Sequence, residues 1–162
     1  MAVGFDIKIN AQQLQTRLKR LERQFSSSID KGILQAGFQL LAIIREKTQK
    51  GIDINSNSFA PYSQGYLKQL QREGKPIRVD LFNTGRMMGA LIPSGRTIKK
   101  TGKHKISVGF SNAEMRKRAL FNQVLNEPTR KFFGFNKRTE NIIQNSFNRF
   151  MKKEFNRMKI WA

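Results

Sequence analysis

Cysteine is absent from this chain of 162 residues, and several other residue types are scarce. A chain without cysteine has neither a disulfide framework nor a cysteine-ligated metal site. Its one histidine, His104, lies between two lysines, and these neighbours favour a solvated turn over the sheltered position that a general base needs. We therefore predict that the protein is not an enzyme and has no catalytic residue, cofactor or metal ion.

Long apolar runs are missing as well. The strongest, residues 33–44, is twelve residues long and contains Gln35 and Gln39, whereas a membrane-spanning helix needs about 20 apolar residues. The first ten residues reach a charge at Asp6 and lack the apolar core of a signal peptide. These features predict a soluble intracellular protein that does not enter a membrane.

Acidic residues are few, since 11 Asp and Glu stand against 31 Lys and Arg and the formal net charge is +20 at pH 7. The excess is uneven: residues 1–80 hold 13 basic and 7 acidic residues, whereas residues 81–162 hold 18 and 4. A surface this basic is typical of a protein that meets nucleic acid or an acidic protein face. Solubility, or a coding sequence rich in lysine codons, would explain the same charge.

Hydrophobic periodicity predicts several helices and few strands. The clearest helix covers residues 28–50, where apolar residues recur at helical spacing until Gly51 ends it. The serine run 26–28 predicts a break between this helix and one that begins after Asn10. Further predicted elements are a strand at 5–9, a short helix at 84–91 capped by Thr84, hairpin strands at 96–100 and 105–110, a helix at 111–124 capped by Ser111 with Ala113, Leu120 and Val124 inward, a strand or turn at 132–135, and an apolar-striped C-terminal helix at 139–160 capped by Asn136.

Together these elements predict one α+β domain over residues 1–162. A small, mostly antiparallel sheet would combine the first strand, the 96–110 hairpin and the 131–135 segment. The long 28–50 helix and the amphipathic C-terminal helix would cover this sheet. Residues 52–82 show no periodicity, so we predict a long loop that projects from the domain and makes contacts between subunits.

Residues 51–91 hold the densest set of residue types that are not interchangeable, in the sequence GIDINSNSFAPYSQGYLKQLQREGKPIRVDLFNTGRMMGAL. The glycine suits a left-handed helix end, and aspartate side chains bond backbone amides in turns. The large aromatic side chains could pack down on their own domain or insert into a neighbouring subunit. The predicted loop anchors and intersubunit residues are Asp53, Phe59, Pro61, Tyr62, Tyr66, Asp80, Thr84 and Arg86.

The same segment resembles tail-completion and neck proteins of tailed bacteriophages, a group that includes the Mu-type virion-morphogenesis protein and head–tail joining and tail-terminator proteins. Their pattern is G-x-D-x-x-G-x-x-F-x-P-Y-S, then V-D-L-x-x-T-G-x-M-x-x-S-L. Ser56 or Asn57 stands where that pattern has its second glycine, and residues 130–135 are similar to the closing P-x-R-P-F-F-G-L-S segment. The main pattern is matched at Gly51, Asp53, Phe59, Pro61, Tyr62, Ser63, Asp80, Leu81, Thr84, Gly85, Met87 and Leu91.

This resemblance implies a structural virion protein without catalysis, located at the head–tail junction after assembly in the host cytoplasm. It implies a homo-oligomeric ring, with six copies favoured and twelve as the alternative, that contacts neighbouring neck, portal-side or tail-tube proteins. A closed ring needs two different adhesive surfaces on each subunit, and the long loop and the basic face are the candidates. Basic residues beside the channel would meet genomic DNA or the acidic rim of a neighbouring ring.

Two other functions fit the sequence. One is a nucleic-acid-binding protein without sequence specificity, whose basic C-terminal half binds phosphates. The other is a small metal-dependent nuclease built on Asp53, Asp80 and His104, for which the signal is two aspartates 27 residues apart. The residues predicted to contact DNA or an acidic partner are Lys99, Lys100, Lys103, Lys105, Arg149, Lys152, Lys153 and Arg157.

Overall fold

The computed structural model describes residues 11–82 and 85–158 and confirms the predicted α+β class. In these residues five α-helices accompany one two-stranded antiparallel sheet around a hydrophobic core. The predicted strand at 5–9 lies outside the described residues. The elements are α1 (Ala11–Gln49), α2 (Gln64–Arg72), α3 (Arg86–Gly89), β1 (Ile98–Gly102), β2 (Lys105–Val108), α4 (Ala113–Leu120), a π-helical turn (Phe121–Leu125) and α5 (Lys137–Arg157).

Helix α1 is continuous over 39 residues, a length of about 58 Å at 1.5 Å per residue. The predicted break at serines 26–28 is therefore wrong. Ser28 is buried against α5, where its hydroxyl donates to Glu154 Oε2 at 3.1 Å. Because this hydroxyl bonds a residue on another helix, it does not compete for the backbone of its own helix as a capping serine does.

Helices α1 and α5 run in opposite directions and pack along the predicted apolar stripe of α5. The rings of Phe25 and Phe155 lie 5.2 Å apart between centroids. Further along α1, Gly32 admits Phe147, whose ring would lie 2.8 Å from a Cβ at that position. Asn136 caps α5, as predicted, because its side chain accepts a hydrogen bond from the Thr139 N–H at 3.0 Å.

The sheet is the predicted hairpin, and its strands pair Ile98 with Val108 and Lys99 with Ser107. The side chain of Ile98 faces α1, together with that of Ile106. Successive side chains of a strand point to opposite faces. Lys99 and Ser107 therefore lie on the face that points away from α1.

Residues 131–135 add no strand to this sheet, so of the two predicted forms, a strand or a turn, the turn is the observed one. They follow an irregular path in which Phe132 is 2% exposed and its ring packs edge-to-face against Phe110, with centroids 6.3 Å apart. The backbone of this segment bonds another loop instead, since the Ile54 N–H donates to the Lys131 carbonyl at 2.9 Å. Aromatic packing, rather than strand pairing, fixes this segment.

Helix α4 begins one residue later than predicted, because Asn112 rather than Ser111 is its N-cap. The Asn112 side chain accepts hydrogen bonds from two backbone N–H groups of the first turn, at 2.8 and 3.3 Å. Met115 and Ala119, four residues apart, form the buried face. The predicted inward positions are wrong, and all of them are exposed: Ala113, Leu120 and Val124.

Residues 52–82 are irregular over most of their length, but the prediction missed a helix of nine residues and the anchoring of the segment in the core. Helix α2 lies within it, capped by Ser63, and buries Leu70. Phe59 and Val79, on either side of this helix, belong to the hydrophobic core. Three apolar side chains thus anchor the segment to the domain. The helical periodicity of α2 was not recognised because its sequence is short and polar.

None of the helices in the described ranges is long and apolar enough to cross a membrane. Helix α1 has sufficient length, but charged and polar side chains recur along its exposed side.

Candidate functional site

The segment 51–91 begins at the turn that ends α1. Gly51 has φ +75°, a left-handed value that glycine adopts without strain, and its N–H donates to the Thr48 carbonyl at 3.0 Å. Val79, from the far side of α2, crosses this turn. A Cβ on Gly51 would lie 2.9 Å from the Val79 carbonyl oxygen, so both the turn and the close approach of a second segment require glycine.

Asp53 and Asp80 each fix a turn, as predicted. Asp53 Oδ1 accepts from the Asn57 N–H at 2.8 Å, and Asp80 Oδ1 accepts from the Phe82 N–H at 2.9 Å. Within the residues that the structure describes, no three histidine, aspartate or glutamate side chains come together to hold a metal ion. The set Asp53, Asp80 and His104 therefore does not form the metal site that a nuclease would need.

Ser56 occupies the position of the second glycine in the phage pattern, and its φ is +74°. Left-handed backbone costs an L-residue about 1–2 kcal/mol, whereas glycine costs about 0.5–1 kcal/mol in chain entropy. We expect Ser56→Gly to raise the free energy of unfolding by up to about 1 kcal/mol in urea denaturation. Asn57→Gly is the control, because its φ is not positive and the same change there should be destabilising. A loss of stability in Ser56→Gly would contradict the strain at this position.

Phe59 packs inside its own domain. It is 8% exposed and lies in the core with Leu41 and Ile44. Its N–H donates to the Gly51 carbonyl at 2.8 Å, which returns the segment to the end of α1. Of the two roles that the sequence left open for this ring, packing on its own domain is therefore the observed one.

A buried arginine holds the backbone that follows Phe59. Arg130 is 8% exposed, and its Nε and Nη2 donate to the carbonyl oxygens of Ala60 and Pro61 at 3.2 and 3.1 Å. Its guanidinium lies 5.1 Å from the centroid of the Tyr62 ring, in cation–π geometry. Arg130 was not predicted as a site residue, because its partners are about 70 residues away in the chain. Its position in the downstream segment that resembles the phage pattern was the signal that could have identified it.

Tyr62 and Tyr66 meet edge-to-face with ring centroids 4.9 Å apart. Burial raises the pKa of Tyr62, and Tyr66 and Asp80 add to this rise while Arg130 opposes it. The phenol therefore stays protonated at neutral pH. Pro61 is exposed, and Tyr62 and Tyr66 are partly exposed, so a partner could contact all three residues.

Arg86 extends from the first turn of α3, in which Met87 is buried. Its Nη2 lies 3.9 Å from Glu114 Oε2, and both side chains are more than half exposed. Arg118 binds the same carboxylate at 2.9 Å. A long, exposed ion pair contributes little stability, so Arg86 can exchange this carboxylate for one on a partner. Thr84, the predicted cap, lies outside the described residues.

His104 does not lie in a solvated turn, contrary to the prediction. Its Nδ1 is 2.9 Å from Asp30 Oδ1 and its Nε2 is 3.5 Å from Ser26 Oγ, both on α1. Lys100 binds the other oxygen of Asp30. Hydrogen bonds from Lys100 and His104 lower the pKa of Asp30, so the carboxylate stays charged and ties the hairpin to α1.

The chain of contacts from Asp30 through His104 to Ser26 has the spatial order of a catalytic triad. The surroundings of these residues do not suit acyl transfer. Ser26 lies in the middle of α1, where its backbone N–H is used by the helix and is not free to stabilise an oxyanion. Its Oγ is 3.5 Å from His104 Nε2, beyond the ~2.6–3.2 Å of an activated nucleophile. The arrangement suits a tether between two elements.

The predicted basic residues are divided among several surfaces. Lys100 is bound to Asp30, while Lys103 and Lys105 flank the hairpin turn with exposed side chains. Lys99 lies on the opposite face of the hairpin from α1. Four others are exposed along α5: Arg149, Lys152, Lys153 and Arg157. The fold therefore does not gather them into one basic face.

Among the exposed apolar surfaces of the described residues, two lie on α1 or beside it. The first is the α1 arm, residues 12–20, all exposed, with Leu14 and Leu18 one turn apart at 50% and 56% exposure. The second is the apolar groove, an open depression of about 670 Å³ between α1, β2 and α5. Its one charged lining residue among those described is Glu140. Its main apolar walls are Ile33, Leu40, Ile106, Phe135, Ile143 and Phe147.

Comparison of the chain with protein-family models, with curated proteins and with solved structures finds no match. The geometry above and the sequence pattern of residues 51–91 are therefore the two sources of evidence on function.

Proposed function

We propose that the protein is a structural subunit of a tailed-phage virion, a tail-completion, tail-terminator or neck component that closes into a ring at the head–tail junction. The pattern at residues 51–91 supports the phage assignment. The observation that carries the ring is that one chain exposes two different apolar surfaces, the α1 arm and the apolar groove. A ring needs such a pair, because each subunit meets its two neighbours through different faces.

The α1 arm of one copy and the apolar groove of the next are complementary in chemistry. The arm offers Leu14 and Leu18 between cations such as Arg17 and Arg20, and the groove combines apolar walls with the carboxylate of Glu140. The arm cannot fold back into its own groove, because it continues the same rigid helix that forms one wall of that groove. Docking of the arm of one copy into the groove of the next therefore buries both surfaces. We favour six copies in the resulting ring.

The double change Leu14→Gln and Leu18→Gln is expected to abolish assembly without lowering the stability of the monomer, since both side chains are exposed. Phe135→Gln, in the groove, should do the same from the other side. An equimolar mixture of the two variants has one intact arm and one intact groove, so it should form heterodimers but no rings. Light scattering of concentrated protein measures the molar mass, and therefore the oligomeric state, of each sample.

Gln12→Ala, also on the α1 arm and exposed, is the control and should assemble as the unaltered chain does. Rings formed by either variant alone, or by their mixture, would refute the arm-in-groove interface. The phage role is tested separately by electron microscopy of lysates of the source phage with this gene disrupted. DNA-filled heads beside separate tails, joined when the gene is supplied in trans, support it; normal virions refute it.

A further inference from the structure

Three cations from different parts of the fold line a second depression, which we call the cationic groove. Arg96 precedes β1, Lys99 lies on the face of β1 opposite α1, and Arg116 lies on α4. The groove is open and has a volume of about 450 Å³. Separate elements thus place three positive charges around one space.

These charges are not neutralised within the part of the chain that the structure describes. None of the three cations forms an ion pair there, and no aspartate or glutamate lines the groove. Other cations of the same elements are paired, as Lys100 is with Asp30 and Arg118 with Glu114. An anion from outside the chain would therefore find three free donors at this site.

The floor of the cationic groove is apolar. Ala119 and Phe133 form part of it, and Leu120 and Val124, at 51% and 59% exposure, extend it toward solvent. A nucleic-acid duplex presents phosphates outward and keeps its bases stacked inside, so it cannot use such a floor. An unpaired strand offers phosphates and the faces of its bases together.

We propose that the cationic groove binds single-stranded nucleic acid, with phosphates on Arg96, Lys99 and Arg116 and bases against the apolar floor. Salt bridges to phosphates make the binding salt-dependent, and the floor favours strands over duplexes. The groove is complete within one chain, so binding does not need the ring. The outcome is thus independent of the assembly experiments.

The test is fluorescence anisotropy of a labelled oligothymidylate of 20 nucleotides over a range of salt concentrations. Three phosphate contacts contribute about 2 to the slope of log affinity against log salt, since each contributes about 0.7 on a single strand. The triple variant Arg96→Ala, Lys99→Ala, Arg116→Ala should lose that slope, and about 100-fold in affinity at 0.1 M salt. Leu120→Gln should weaken binding several-fold and leave the slope unchanged.

The matched control removes three other exposed charges that form no ion pair in the described structure, in Lys31→Ala, Lys68→Ala, Arg138→Ala. It should keep the slope and affinity of the unaltered chain. Equal losses in the two triple variants would overturn the proposal, because the binding would then follow net charge. Equally tight binding of a 20-base-pair duplex, or displacement of the strand by polyglutamate at equal charge concentration, would also overturn it and point to a general polyanion or an acidic protein surface.

Discussion

Phe59→Ala is expected to lower the free energy of unfolding by about 3–5 kcal/mol, a large share of the ~5–15 kcal/mol that holds a domain of this size together. The ring is 8% exposed and shares the core with Leu41, Ile44 and Val79. Its removal leaves a cavity where the 51–91 segment meets the end of α1. Urea denaturation followed by circular dichroism measures the loss.

Phe135→Ala is the matched control, because it makes the same chemical change at a ring that is 57% exposed. We expect its effect on monomer stability to stay within about 0.5 kcal/mol. Equal losses in the two variants would contradict the packing described for Phe59. Tyr62, which is half-buried, should give an intermediate loss on change to alanine, so neither Phe59 nor Tyr62 can be used to test assembly without a measurement of folding beside it.

Sequence patterns predicted those features of the fold whose cause is local. The stripe of α5 follows a helical period, the left-handed turn at Gly51 follows from glycine, and the turns at Asp53 and Asp80 follow from carboxylates that bond nearby amides. The hairpin followed from alternation around a short turn. In each case the residues that form the pattern lie within a short stretch of the chain.

The features that the sequence did not predict depend on partners far away in the chain. Ser28 is satisfied by Glu154, 126 residues later, and this contact removes the expected break in α1. His104 is held by Asp30, 74 residues earlier, and is therefore no solvated tip. A window of neighbouring residues contains neither partner, so no local signal could have reported these contacts.

The distribution of charge over the surface is another feature that the sequence did not predict. Net charge and its excess after residue 81 are visible in the sequence, but the division of that charge is a property of the fold. One groove of the described structure is apolar with a single carboxylate, and the other is cationic with none. Lys99 was among the predicted contacts, whereas Arg96 and Arg116 were not, and it is the fold that places Arg116 of α4 beside the same depression as Arg96 and Lys99.

Arg130→Met is expected to lower the free energy of unfolding by about 2–4 kcal/mol. Hydrogen bonds from a charged donor contribute about 1.5–3 kcal/mol each, and Arg130 makes two, to the carbonyls of Ala60 and Pro61. Relief of the cost of burying a charge offsets part of this loss. The change should also release the loop around Tyr62, so hydrogen exchange of the backbone amides in residues 59–66 should become faster.

Arg130→Lys separates the charge from the shape of the side chain. Lysine keeps the positive charge, but a single ammonium group lacks the planar fork that reaches two carbonyls and lies over the Tyr62 ring. We therefore expect roughly half the loss of Arg130→Met, with exchange at residues 59–66 still faster than in the unaltered chain. Arg149→Met, at an exposed arginine, should change stability by less than about 0.5 kcal/mol. If Arg130→Lys matched the unaltered chain in both measurements, charge alone would hold the loop, and the forked hydrogen bonds would not be its cause.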